Sequence, residues 1–77
     1  LLARARAAVA AGDAEALQAI DAALARRTEW RGPTYIRNVE ELYGLRVTAT
    51  EQLHGPDHPA TAGARTELEA YRRAIGR

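Results

Sequence analysis

The chain contains no cysteine, methionine, phenylalanine or lysine, and only one tryptophan and three tyrosines. Without cysteine there is no disulfide, no thiolate metal site and no thiol catalysis. Eleven basic residues face ten acidic ones, interspersed, for a net charge of +1. Such a balance leaves no electrostatic footprint for nucleic acid or for an anionic membrane. No apolar run approaches the roughly 20 residues of a membrane span. The opening LLARARAAVAA carries arginines within it, which argues against a signal-peptide core. No cofactor, metal or small-molecule substrate is expected, and a cytoplasmic protein is. With no Lys, all of the basic residues are Arg; together with the abundant Ala this is the usage expected of a high-GC bacterial genome.

Alanine is what the chain has in quantity, about half of its apolar residues. It favours helix because it loses no side-chain entropy there, and it lets helices approach closely. Seventy-seven residues make one small domain, which buries roughly 60% of its unfolded surface. The larger apolar side chains are few: eight Leu, three Ile and three Val. So thin a core predicts that neighbouring repeats, a partner or another copy covers part of the apolar surface. The chain opens at Leu1 without Met or a capping residue, already in helical pattern, so 1–77 is expected to be a single helical-repeat domain or a fragment of a larger protein.

The apolar spacing predicts four helices and no strand. Leu2, Ala5 and Val9 share a face over 1–11, and Gly12 ends that helix. Asp13 is placed to cap a second helix over 13–27, with Leu17, Ile20 and Leu24 on one face and Arg26 and Arg27 at its carboxyl end. Gly32-Pro33 reads as a breaker. A third helix is expected over 34–53, with Ile36, Val39, Leu42, Tyr43, Val47, Ala49 and Leu53 as a broad apolar stripe. Gly44 inside it either permits close packing or marks a bend. A fourth is expected over 59–75, with Ala60, Ala64, Leu68, Tyr71 and Ile75 spaced four, four, three and four. Shifting the chain by 44 places Asp13 on Asp57, Leu24 on Leu68 and Gly32 on Gly76, each in the same helical role. This is the mark of a helical-hairpin repeat.

Both histidines lie in one short stretch, LHGPDHP at 53–59. His54 and His58 are four apart, a metal-sharing spacing on a continuous helix, and Asp57 could join them in acid–base work. Gly55 and Pro56 interrupt any such helix, and no further His or Cys exists to complete a metal site. The structural reading accounts for every residue. Gly55 ends one helix, Pro56 blocks continuation, Asp57 or His58 accepts from free amides, and Pro59 fits the first turn of the next.

The segment GPDHPATAGARTELEAYRRAIGR resembles the tetratricopeptide repeats of the kinesin-light-chain type. Leu53, Gly55, Pro56, Asp57, His58, Pro59, Thr61, Leu68, Arg73, Gly76 and Arg77 stand where that pattern has them. The resemblance implies an all-α fold of antiparallel helical hairpins in a right-handed, TPR-like stack, with the 53–59 loop purely architectural. A plain four-helix bundle is the alternative. The chain departs from the family at His54, where leucine is usual. It departs also at Thr66 and Glu67, where paired asparagines commonly face the concave groove.

Four residues are candidates for protein contact. Arg65, Glu69 and Arg72 lie on one side of the fourth helix, and Trp30 sits in a charged loop between Glu29 and Arg31. An exposed tryptophan suits a binding hot spot, and equally a staple over helix ends. Glu69 and Arg73 are set for a weak helix pair. The expected function is a non-catalytic protein–protein interaction module, part of a larger bacterial scaffold or regulator. Its partner would be a protein, a peptide or its own copy. The alternative is a helical bundle for self-association or interdomain docking with no separate ligand.

Overall fold

The computed structural model of the protein describes residues 2–29 and 32–76. They form four helices: α1 (Leu2–Ala10), α2 (Ala16–Ala25), α3 (Gly32–His54) and α4 (Pro59–Ala74), with a 3-10 turn at Arg27–Glu29. No strand occurs among the described residues. Nor is any helix among them long and apolar enough to cross a membrane.

The helix ends follow local chemistry. Gly12, at φ 67°, closes α1 in a Schellman turn: its N–H donates to the Val9 carbonyl at 3.1 Å, and the Asp13 N–H to Ala8 at 2.9 Å. Asp13 then shapes a turn instead of capping directly. Its Oδ1 accepts from the Glu15 N–H at 2.8 Å, and α2 begins at Ala16, three residues later than the spacing predicts. At the far end the Arg27 guanidinium donates to the Leu24 carbonyl at 2.8 Å. Gly32-Pro33 does not keep the third helix waiting until Thr34. Both residues fall in the first turn of α3, where a proline lacks nothing because first-turn amides have no intrahelical acceptor.

The core sits among the first three helices. Ala5 and Val9 of α1, Ala16, Ile20, Ala23 and Leu24 of α2, and Val39, Leu42 and Ala49 of α3 form one buried cluster. α3 touches all three other helices, and α1 and α2 also pack together. Four of the nine cluster residues are alanines, so the helices meet closely over little side-chain volume. The α3 stripe is only partly covered: Ile36 is 39% exposed and Leu53 51%. Length explains this, since α3 has 23 residues and α2 has 10. At 1.5 Å per residue α3 overhangs its neighbour by roughly 20 Å.

α4 runs antiparallel to α3. Successive ties pair Thr61 with Gly55, Arg65 with Glu51, Arg46 with Glu67 and Tyr71 with Ile36. Its inward face is Thr61, Ala64, Leu68, Tyr71 and Ile75, so Thr61, not Ala60, occupies the first inner position. Leu68 and Ile75 stay half-buried, because α3 is the neighbour that covers this face. The 44-residue self-match does not carry through in role: Gly32 opens α3 whereas Gly76 follows the end of α4, and Leu24 is buried while Leu68 is not.

Candidate interaction groove

A groove of about 420 Å³ opens between α2 and α4, with α3 as its floor. Leu17 and Asp21 form one wall, and Ala60, Gly63, Ala64 and Glu67 the other; Arg46, Thr50 and His54 lie beneath. The α4 wall is low because its residues are small. A Cβ added at Gly63 would meet nothing within 4 Å.

Arg46 joins the two walls. Its Nη2 donates to Asp21 Oδ1 on α2, and its Nη1 donates to Glu67 Oε2 on α4 at 2.6 Å. The guanidinium also lies 5.8 Å from the Tyr43 ring centroid. Burial works to lower the Arg46 pKa, but the two carboxylates outweigh it and raise it on balance, so the bridging charge is secure. Sequence reasoning did not single out Arg46. The available signal was indirect: neither Asp21 nor Glu67 has a cation three or four residues away on its own helix. Glu67 is also one of the two positions where the resemblance puts groove asparagines. The other, Thr66, is turned to its own helix and donates to the Ala62 carbonyl at 3.0 Å.

The candidate contact residues fall elsewhere. Arg65 donates to Glu51 at 3.1 Å and to the Pro56 carbonyl at 3.2 Å, and Arg72 donates to Glu40 at 3.1 Å. Both arginines therefore tie α4 to α3. Glu69 pairs with Arg73 at 3.9 Å, as their spacing predicts. The three do not line the groove. Trp30 lies outside the described residues. On the far side of α3, Arg6 of α1 clasps Glu41 with two donors, one of them at 2.6 Å. The Arg6 hydrogen bond holds the Glu41 carboxyl below the ordinary range, against the opposing effect of burial.

The LHGPDHP stretch forms the corner between α3 and α4. Gly55, at φ 93°, ends α3 with its N–H on the Glu51 carbonyl at 2.8 Å. His58, extended ahead of Pro59, caps α4: its Nδ1 accepts from the Ala60 N–H at 3.0 Å. The two histidine rings stack with centroids 4.5 Å apart and planes 23° from parallel. A metal shared by two imidazoles lies in the plane of each ring, a geometry that stacked rings do not offer. One of the four ring nitrogens is also engaged by the cap. Among the described residues no group of three or more potential ligands is placed to hold a metal.

No family model matches this chain, and neither does any curated protein or solved structure.

Proposed function

We propose that the chain is a non-catalytic interaction module, built as a TPR-like right-handed stack of helical hairpins, and that the α2–α4 groove receives a segment of a partner protein. The observation that carries this reading is the groove itself. Its two walls are separate helices held in register by one arginine, and its rim offers small side chains and paired charges. Shallow walls of Ala and Gly admit a peptide backbone closely. Leu17 supplies an apolar contact and His54 a hydrogen-bonding group, while the Thr50 hydroxyl donates to the Arg46 carbonyl. The antiparallel α3–α4 pair and the 53–77 resemblance support the same architecture. A place in a larger bacterial, cytoplasmic scaffold accords with composition.

The test is selection of peptides from a random displayed library, followed by binding titration against wild type and Gly63→Arg. The position is open at Cβ, and an arginine there projects bulk and charge at the groove. The reading expects peptides that bind wild type and lose at least tenfold in affinity to the variant, with a melting temperature no lower than that of wild type. Peptides that bind both proteins equally, or none selected at all, would defeat it.

Self-association has its own supporting observation, the half-covered apolar residues Leu68 and Ile75 of α4 beside exposed Ile36. It expects a mass that rises with concentration and falls back to the monomer in Ile75→Asp.

A further inference from the structure

The stacked histidines have a chemistry that the groove reading leaves unused. His58 Nδ1 accepts the Ala60 N–H, so the single proton of the neutral ring sits on Nε2. A second proton has one place to go, Nδ1. There it converts the acceptor into a donor that faces another donor, and the cap is lost. The resulting charge would stand at the amide end of α4, where the helix dipole opposes a cation. It would also stand against the His54 ring, 4.5 Å away in the last turn of α3.

The charged groups around the corner do not cancel this. From α3, Glu51 is engaged by Arg65 of α4. Asp21 of α2 and Glu67 of α4 are both engaged by Arg46. Asp57, exposed and next in the chain, can offset the charge but cannot restore the lost acceptor.

We propose that the α3–α4 corner is a proton-sensitive cap: a proton on His58 Nδ1 releases the first turn of α4, and with it the Ala60–Gly63 edge of the groove. The unfolded chain has no such contact to lose, so loss of the cap registers as loss of stability. The effect on the groove rests on the binding reading; the cap does not.

The test is nitrogen-detected NMR of the imidazoles, with exchange of the Ala60 amide and thermal melting, from about pH 8 to about pH 5. Wild type should show the Nε2–H tautomer of His58 at the alkaline end. On acidification the protection of the Ala60 amide, taken relative to its intrinsic exchange rate at each pH, should fall about fivefold, the measure of a lost N-cap. The melting temperature should fall by about 4–8 °C. His58→Asp, a cap that keeps its acceptor through this range, should abolish both changes, while His54→Gln should leave the Ala60 response in place. An Nδ1–H tautomer at the alkaline end, an Ala60 protection factor indifferent to pH, or an unaltered pH dependence in His58→Asp would each overturn the proposal. A groove that binds no peptide would leave all of these results untouched.

Discussion

The Thr61 hydroxyl donates to the Gly55 carbonyl at 2.7 Å, closing the corner between α3 and α4 from within. Thr61 is fully buried in the first turn of α4, while Gly55 is the residue just past the end of α3. One bond thus connects the stop of one helix to the start of the next across the proline pair. Thr61→Val keeps the shape and removes the donor. The Gly55 carbonyl retains only a long contact from the His58 N–H, at 3.4 Å. Urea unfolding should show a loss of about 1 kcal/mol.

Gly55 and Gly44 should respond oppositely to alanine. Neither offers a clash, since an added Cβ meets nothing within 4 Å at either site. Gly55 sits at φ 93°, where a Cβ is strained, so Gly55→Ala should cost about 1–2 kcal/mol. Gly44 lies in the middle of α3 with ordinary helical φ, so packing does not require it. Gly44→Ala should stabilise the fold by about 0.5–1 kcal/mol. Chemical denaturation of both variants settles the pair.

Arg46 holds α2 and α4 to one central helix, and its loss should be felt on both sides. Arg46→Gln should lower stability by about 1 kcal/mol at low ionic strength. The loss should shrink in ~1 M salt, where charges at the surface are screened within about 3 Å. Chemical shifts should move in both Asp21 and Glu67 segments. A change confined to one helix would show that the guanidinium does not bridge.

The Arg6–Glu41 pair should shape the acid limb of the stability curve. Glu41 has its folded pKa depressed, chiefly by the Arg6 hydrogen bond and against burial. Its contribution is therefore complete above the ordinary glutamate value of about 4.3 and is lost as the pH falls through the lower, folded value. Glu41→Gln should flatten this limb in melts recorded below about pH 5. Melts of Glu41→Gln and wild type that decline in parallel there would refute the assignment.

Hydrogen exchange should find α4 the first helix to open. The buried cluster draws on α1, α2 and α3 only, whereas α4 is held by Thr61, Ala64, the Tyr43–Tyr71 contact at 5.3 Å and exposed ion pairs. Few buried apolar contacts mean a low opening free energy. Amides of residues 64–72 should exchange faster than those of residues 39–49.

Much of the helical plan is legible in the residues. The 3/4 spacing of apolar residues located all four helices, and the punctuation by Gly12, Gly55 and Pro59 located three of their ends. Three boundaries moved: Asp13 spends its carboxylate on a turn, α2 ends at Ala25 ahead of the Arg27–Glu29 turn, and Pro33 enters the first turn of α3. The groove was less legible. Sequence spacing shows which residues share a helix face, but not which face a second helix will cover. Arg65 and Arg72 each have Glu69 three or four residues away on α4 and yet are engaged by carboxylates of α3, while Arg46, unremarkable along α3, joins two walls.

By itself the sequence determined that this chain is helical, where its helices turn, and that its core must be thin. Those properties follow from propensity, capping and composition, each acting over a few residues. Only the tertiary structure decided that Thr61 is buried, that the histidines stack, and that Asp21, Arg46 and Glu67 meet. The first two depend on how α4 folds back on α3 at the corner, and the third on how helices distant in sequence settle against one another in space.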